Sequence, residues 1–271
     1  MKKFFARLYL GLILLLLYAP LIFIAISSFT ESRVLGNWTG FSTKLYSNLF
    51  SGSMQGAAGS LMTAVYNTLI IALIAALVAT LLGTLAAIGI FYSRGRAKNS
   101  VMFLNNIPMV NPDVITGVSL FLLFVFLGIT QGYVSVILAH ITFCTPYVVL
   151  NVLPKLHQMN SNTYEAALDL GATPGQALRK VMIPQLLPGM LTGFILSFTM
   201  SLDDFAVTFF TRGTIGLETL STYIYTDARK GGLTPELRPL MTIIFIVVFA
   251  LLVIINIRQE RAAKKKALLK K

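Results

Sequence analysis

Residues 165–184 read EAALDLGATPGQALRKVMIP and form a water-soluble stretch inside a very apolar chain. Of the 271 residues, 56% are hydrophobic and only 12% are charged, and the mean hydropathy is +0.77. Globular proteins carry about twice that charged share, roughly 25%. On both sides of this stretch the apolar residues are grouped in long blocks, which indicates helices that span a lipid bilayer.

Six apolar blocks are long enough to cross a bilayer as helices, which takes about 20 residues each. They cover residues 8–29, 61–92, 101–128, 132–153, 186–211 and 239–257. The short alternating segments that are typical of transmembrane β-barrels are absent from the sequence. The sequence therefore predicts a single all-α membrane domain over residues 1–271, a polytopic protein with six transmembrane helices.

Lysine and arginine set the predicted orientation, because short loops on the cytoplasmic side are enriched in both. Sixteen of the 22 basic residues lie at the N-terminus, in the link after the second span, in the loop 155–185 and in the tail 258–271. Six spans place these segments on one side, so both termini and the loop are predicted to be cytoplasmic. The net charge of +12 then reflects topology and contact with anionic lipid, not nucleic-acid binding.

The loop 155–185, called the elbow below, begins with a short predicted helix. Asn162 and Glu165 have the spacing of a capping box, which predicts a helix from about residue 163. Gly171 follows where a helix commonly ends on a residue with positive φ. The sides of this helix differ, since an apolar face contains Ala166, Ala167 and Leu170.

A second predicted helix completes the elbow. Thr173 and Gln176 form another capping box, Pro174 occupies the first turn, and the helix is expected to stop at Pro184. The result is a helix–glycine–helix unit with a small apolar face edged by charge, which is suited to docking into a groove on another protein. The alternative is an amphipathic connector that lies on the bilayer.

Two of the spans carry patterns of their own. In the second span Ala75, Ala79, Gly83 and Ala87 recur every four residues, and such small-residue stripes allow another helix to approach closely. That neighbour belongs either to this chain, which is the simpler interpretation, or to a second subunit. The third span opens with NNIPMVNPDVITG, where Pro108 and Pro112 disfavour a regular helix. Irregular polar backbone is tolerated in a membrane only against protein or a water-filled cavity, so a broken helix beside a translocation path is predicted.

Three of the ten acidic residues lie within predicted spans: Asp113 in the third, and Asp203 and Asp204 in the fifth. The helical rise places Asp113 about 18 Å from the start of its span. A charge at such a depth costs about 2.5 kcal/mol or more unless it faces a polar interior. Because spans two to six contain no lysine or arginine, we predict that these acids line a path for a transported cation.

Structural alternatives exist for the same acids. Asp113 directly follows Pro112 and is also suited to cap a restarted helix. Successive helical residues point about 100° apart, so one of Asp203 and Asp204 is expected to face the path, while the pair alternatively bonds the backbone at the outer rim. His140 in the fourth span is interpreted as a packing histidine rather than a proton relay.

Motifs for catalysis and for nucleotide binding are missing from the sequence. It contains no G-x-x-x-x-G-K-[ST] run, no H-E-x-x-H and no paired cysteine and histidine spacing of a zinc site. The chain is therefore predicted not to be an enzyme and to hold no cofactor or metal of its own.

The elbow resembles the E-A-A-x₃-G-x₉-I-x-L-P motif in the membrane subunits of binding-protein-dependent bacterial ABC importers. Glu165, Ala166, Ala167 and Gly171 match the motif, and after nine residues Val181, Ile183 and Pro184 stand for its I-x-L-P end. Both departures retain apolar character. Within this family the stretches NPDVITGVSLFLLF, HITFCTPYVV and SFTMSLDDF are similar to permeases for spermidine and putrescine.

The resemblance implies a type I ABC importer permease with the MetI-like fold in the bacterial cytoplasmic membrane. Its partners would be a second permease subunit, a cytoplasmic ATPase dimer that binds ATP and Mg²⁺, and an extracytoplasmic polyamine-binding protein. The elbow would fit a cleft of the ATPase, with Glu165 as a charged contact and Gly171 as the bend. Asp113, Asp203 and Asp204 would then form a weak acidic relay for polyamines.

Three other functions fit parts of the sequence. A proton-coupled secondary transporter of an organic cation explains the acids but gives the elbow no role. A membrane scaffold without transport explains the elbow but not the broken, polar third span. An ABC permease for another solute explains both features.

Overall fold

The computed structural model describes residues 2–32, 34–50, 57–159, 161–214 and 216–268, and every regular element within these ranges is helical. The α-helices, numbered in chain order, are α1 (Lys2–Ser27), α2 (Lys44–Phe50), α3 (Ala57–Tyr92), α4 (Gly95–Val110), α5 (Asp113–Phe126), α6 (Tyr133–Gln158), α7 (Ser161–Asp169), α8 (Pro174–Ala177), α9 (Ile183–Asp203), α10 (Ala206–Thr211), α11 (Leu220–Arg229) and α12 (Leu237–Leu268). A π-helix, Leu178–Met182, joins α8 to α9.

The sequence predicts one membrane domain, and the helices group into two compact units. The first unit comprises Met1–Met62 and Thr226–Lys271, and within it α1 packs along α12, with the rings of Tyr18 and Phe245 6.3 Å apart. The second unit, Thr63–Tyr225, contains the elbow and the three aspartates that are predicted to lie within spans. The second unit is therefore the one that bears on function.

The predicted all-α membrane fold is confirmed. Among the described residues, four helical stretches are long and apolar enough to cross a bilayer: Arg7–Ser27, Gly59–Tyr92, Tyr133–Gln158 and Pro174–Asp203. The pair α4–α5 counts as a fifth if the bent pair is one span. In α12 the apolar stretch Leu237–Ala250 is shorter than the other four and does not count as a spanning helix on the same terms. The number of six spans therefore stays a prediction.

The predicted break in the third span is present, and it is sharp. Helices α4 and α5 meet at an angle of 111° across Asn111 and Pro112. Pro112 causes this break because it forces Asn111 into extended backbone, with ψ 135°. Pro108 remains inside α4, so the prediction that both prolines interrupt the helix was wrong for this one. The depth assigned to Asp113 assumed a straight helix and does not hold for a bent pair.

The most extensive helix pair in the second unit is α6 with α9, which run antiparallel. The buried face of α9 contains Gly189, Gly193, Ser197 and Ser201, a small residue at every fourth position. A Cβ atom on Gly189 would lie 3.0 Å from the backbone oxygen of Asn151, so glycine allows the two backbones to approach closely here. Close backbone approach of this kind replaces the hydrophobic drive that is missing in lipid.

Helix α3 also packs against α6, through the stripe predicted from the sequence. Ala75, Ala79 and Ala87 are completely buried, and a Cβ atom on Gly83 would lie 2.6 Å from Val148 Cβ. A Cβ atom on Gly193 of α9 would lie 3.2 Å from Val148 Cα. Val148 is thus held between two glycines, and packing of the stripe within this chain is confirmed.

The contact between Gly83 and Val148 predicts a difference between two glycines of α3. A Gly83→Ala substitution should lower the unfolding free energy of the purified chain in detergent by about 1–3 kcal/mol, because the added methyl overpacks the site. Gly89→Ala is the matched control, since no atom lies within 4 Å of a Cβ there, and it should be neutral or slightly stabilising. Equal melting temperatures for the two variants would contradict the packing described.

Candidate functional site

The elbow has the predicted bend at Gly171. Helix α7 ends in a Schellman motif, in which the Gly171 amide donates to the Leu168 carbonyl at 2.9 Å and the Ala172 amide to the Ala167 carbonyl at 3.0 Å. Gly171 has φ +86°, which side chains other than glycine rarely adopt. The helix begins at Ser161 and not at about residue 163, so Asn162 lies inside its first turn.

The second half of the elbow confirms one prediction and corrects another. The Thr173 hydroxyl accepts from the Gln176 amide at 3.4 Å, and the Gln176 side chain accepts from the Thr173 amide at 3.1 Å. The helix does not stop at Pro184, because the π-helix Leu178–Met182 carries the chain into α9 without interruption. A π turn is wider than an α turn, which gives the ring of Pro184 the space that a regular turn denies it.

The motif residues of the elbow divide between its surface and its base. Glu165, Ala166, Gly171 and Pro184 are exposed, whereas Ala167, Val181 and Ile183 are half-buried. Leu170, next to the bend, is 90% exposed and is the most prominent apolar side chain of the elbow. A single exposed leucine is common on protein surfaces, so Leu170 by itself identifies no partner.

Buried side chains connect the elbow to the membrane helices. Ala177 of α8 and Met182 of the π-helix are 1% and 2% exposed, and Met182 belongs to the same apolar cluster as Val148. Tyr164 of α7 contacts Tyr92 at the end of α3, with ring centroids 6.2 Å apart. The elbow is therefore attached to the helices it follows and does not hang from flexible linkers.

At the other end of α9 the structure brings the three predicted path residues together. Asp113, Asp203 and Asp204 line one cavity of about 380 Å³. Four apolar residues complete its wall: Phe143, Met200, Phe205 and Ala206. The wall comes from four helices, since Asp113 begins α5, Phe143 lies on α6, and the others lie at the junction of α9 and α10.

Two of the three carboxylates are open to the cavity. Asp113 and Asp203 are both exposed. Asp113 is the first residue of α5, where the helix dipole favours a negative charge, but the N-cap residue is Pro112 and has no side-chain capping bond. The alternative of Asp113 as a hydrogen-bonding cap is therefore not supported by the geometry.

Asp204 has a different role, which one of the sequence alternatives anticipated. The predicted fifth span is not continuous: α9 ends at Asp203, and α10 begins at Ala206. The Asp204 carboxylate, 7% exposed, accepts from the Val207 amide at 3.2 Å and from the Thr208 amide at 2.8 Å. It thereby satisfies amides of the first turn of α10, as a helix cap does.

His140 completes a buried polar network around Asp204. Its ring is 1% exposed; Nδ1 lies 2.6 Å from Ser201 Oγ, and Nε2 lies 2.9 Å from Thr208 Oγ1. Nε2 is also 3.4 Å from Asp204 Oδ2, and Thr208 Oγ1 donates to that same oxygen at 2.8 Å. The interpretation of His140 as a packing histidine with satisfied hydrogen bonds is confirmed.

An aromatic group borders the cavity where α10 meets α11. The ring of Phe205 lies 4.8 Å from that of Tyr225, and Phe209 lies 5.6 Å from Tyr225 between centroids. The guanidinium of Arg212 lies 5.5 Å from the Phe209 centroid and 3.4 Å from Glu218 Oε1. Phe205 and Phe209 lie close to the aspartates in the sequence, whereas Tyr225 lies 20 residues beyond Phe205 and reaches them only through the fold.

Comparison with known proteins places the chain among transport components. The family model described as "binding-protein-dependent transport system inner membrane component" matches residues 79–267. The spermidine/putrescine transport system permease protein PotC of Haemophilus influenzae is 38% identical over 255 residues, which is 94% of this chain and 96% of PotC. The putrescine transport system permease protein PotI of Escherichia coli K12 is 37% identical over 235 residues, 84% of this chain and 81% of PotI.

Solved structures share the fold at lower identity. A bacterial ABC transporter involved in the import of the acidic polysaccharide alginate aligns with a TM-score of 0.70 and 16% identity, over 96% of this chain and 95% of that one. The inward-facing MetNI methionine ABC transporter aligns with a TM-score of 0.57 and 20% identity, over 74% and 95%. At these identities the likeness is one of fold alone.

The different surroundings of the two adjacent aspartates predict different effects on stability. Asp204→Ala should lower the unfolding free energy by about 1–3 kcal/mol, because it leaves two backbone amides and the Thr208 hydroxyl without their acceptor. Asp203→Ala, at the neighbouring position, should leave the melting temperature of the purified chain in detergent unchanged. Equal losses in both variants would show that Asp204 is not the structural member of the pair.

Proposed function

The chain belongs to the family of binding-protein-dependent transport system inner membrane components, and we propose that it is the permease subunit of an ATP-driven importer for polyamines such as spermidine and putrescine. It is a multi-pass inner-membrane protein and a non-enzymatic component of its transport system. The named relatives PotC and PotI support the substrate class.

The observation that carries the proposal is the grouping of three aspartates in one cavity with an apolar wall. Polyamines are chains of methylene groups with ammonium groups at intervals. Carboxylates are the natural partners of the ammonium groups, and the rings of Phe143 and Phe205 suit both methylenes and cations. A volume of about 380 Å³ lies in the range of small-molecule sites, roughly 300–1,000 Å³.

The fold by itself does not select a cation. The solved alginate importer with the same fold is described as acting on an acidic polysaccharide, so the charge of the cavity has to supply the preference. In this chain Asp113 and Asp203 are exposed to the cavity, and no lysine or arginine is among its lining residues. A polycation that passes here meets carboxylates whose charge has no neutralising neighbour on the cavity wall.

The elbow is the proposed site of coupling to ATP hydrolysis. A separate ATPase dimer binds ATP and Mg²⁺ and receives the exposed face around Glu165, Ala166 and Leu170. The half-buried residues Ala167, Val181 and Ile183, together with Gly171 and Pro184, hold that face in position. Closure of the ATPase would displace the elbow, and α9 would carry the displacement over about 30 Å to Asp203.

A second permease subunit and an extracytoplasmic polyamine-binding protein complete the proposed importer. The exposed carboxylates Asp113 and Asp203 cannot face lipid without a large penalty, so another protein surface is needed to enclose the cavity. Six spans, with both termini and the elbow in the cytoplasm, remain the proposed topology. It places the elbow on the side where ATP is available.

Uptake of a polyamine should depend on the charge at residue 203. In proteoliposomes that contain the complete importer and internal ATP, Asp203→Asn should raise the KM for radiolabelled spermidine about tenfold or more, because one charge-assisted contact is lost. Asp203→Glu retains the charge and should preserve most of the uptake. A KM that is unchanged in Asp203→Asn would remove this residue from the path.

The energy source separates the proposal from proton-coupled transport. Uptake should continue when a protonophore collapses the proton gradient and should stop when internal ATP is omitted. The reverse result would sink the proposal, whatever the effect of the aspartate variants.

The bend at Gly171 should be needed for coupling but not for insertion. Gly171→Val places a β-branched residue at φ +86° and should reduce ATP-driven uptake at least tenfold at equal amounts of importer in the membrane. Gly175→Val is the matched control in the same elbow, because this glycine has no positive φ and no atom within 4 Å of a Cβ. Equal uptake by both variants would show that the shape of the elbow at Gly171 is not required.

A further inference from the structure

We propose that His140 is a positioning residue: it clamps the junction of α9 and α10 and so fixes, through Asp204, how the Asp203 carboxylate and the Phe205 ring enter the cavity. The inference rests on the proposed function, because it takes Asp203 to meet the transported cation. The sequence pattern gives His140 a packing role, and the proposal adds that its hydrogen bonds position a residue of the cavity.

The clamp acts where the backbone that forms the cavity wall changes direction. Asp203 to Ala206 line the cavity, and this segment is the junction at which α9 ends and α10 begins. At Asp204 the backbone leaves the helical region, with ψ 132°. Without tertiary contacts such a junction allows α10 to swing relative to α9 and to redirect every side chain of the segment.

The imidazole of His140 bridges the two sides of the junction. Nδ1 contacts Ser201, the third residue from the end of α9, at 2.6 Å. Nε2 contacts Thr208, in the first turn of α10, at 2.9 Å. One rigid ring therefore sets the separation of two residues that are seven positions apart and on opposite sides of the break.

The protons of this network are accounted for. The Thr208 hydroxyl donates its single proton to Asp204 Oδ2, so its oxygen can only accept from His140, and Nε2 must carry a proton. In a neutral ring Nδ1 then accepts the proton of the Ser201 hydroxyl. Each group has one defined role, and a network satisfied in this way specifies a single arrangement of the junction.

The clamp is anchored on a rigid base. His140 lies on α6, which is held against α9 by the glycine and serine face described above. Its ring also lies 5.1 Å from the ring of Phe143, which lines the cavity. The same histidine therefore supports two parts of the wall.

Partner residues offer milder tests than removal of the histidine. Ser201→Ala removes the contact to Nδ1, and Thr208→Val removes the contact to Nε2 while keeping the shape of the side chain. Ser197→Ala is the matched control, one turn earlier on the buried face of α9, because the Ser197 hydroxyl has no hydrogen-bond partner among the described residues.

The first measurement needs no knowledge of the substrate. In the complete importer, Ala206→Cys places a thiol on the cavity wall, and a water-soluble thiosulfonate reports its accessibility. The natural Cys144 is buried, and an importer without the new thiol supplies the background rate. Ser201→Ala or Thr208→Val should change the modification rate at least threefold, whereas Ser197→Ala should not. Unchanged rates in both clamp variants would overturn the proposal, even if polyamine uptake is confirmed.

The second measurement separates positioning from general loss of structure. Ser201→Ala should raise the KM for spermidine about threefold to tenfold, the effect of one lost hydrogen bond. In an Asp203→Asn background the same change should raise KM no further, because the carboxylate that the clamp positions is already gone. Additive effects on KM would assign His140 a merely structural role. A failure of the proposed function would give a different result from a failure of the clamp: Asp203→Asn alone would leave spermidine uptake unchanged.

Discussion

The close antiparallel contact between α6 and α9 is the interaction on which the rest of the second unit depends. Glycine or serine at every fourth residue of α9 allows its backbone to rest on α6, and Val148 fills the gap between Gly193 and Gly83. One end of this pair carries the elbow and the other carries the aspartates. In the proposed importer, a displacement of the elbow would be carried along this closely packed pair to the aspartates.

Burial of polar groups sets the second constraint. Asp203 and Asp204 are adjacent in sequence, yet their environments differ. Asp204 accepts hydrogen bonds from two backbone amides and from Thr208 and lies beside His140, whereas Asp203 is exposed to the cavity. The break between α9 and α10 makes this division possible, since it creates the amides that need an acceptor. Asp204, which stabilises the junction of α9 and α10, thus lies next to Asp203, which is proposed to meet the transported cation.

The sequence predicted the elements whose signals are local. The capping pair Thr173–Gln176, the bend at Gly171 and the break at Pro112 follow from rules that act over a few residues, and so does the small-residue stripe of α3. Contacts between distant residues were not predictable. Nothing in the residues around His140 indicates Thr208, which lies 68 positions away, and a proline at residue 184 ordinarily argues against the helix that continues through it.

The π-helix Leu178–Met182 also bears on how α9 and the elbow are aligned about a common axis. A π turn contains about one residue more than an α turn, so each of its residues turns the chain by less than the roughly 100° of an α-helical residue. Because a π turn uses about one residue more than an α turn to complete the same rotation, deleting one residue here would restore regular winding and leave the elbow surface at nearly the same angle around α9. The extra residue therefore serves the proline and not the orientation: a protein with one residue fewer would present the same face of its elbow but would have to fit the ring of Pro184 into a regular turn.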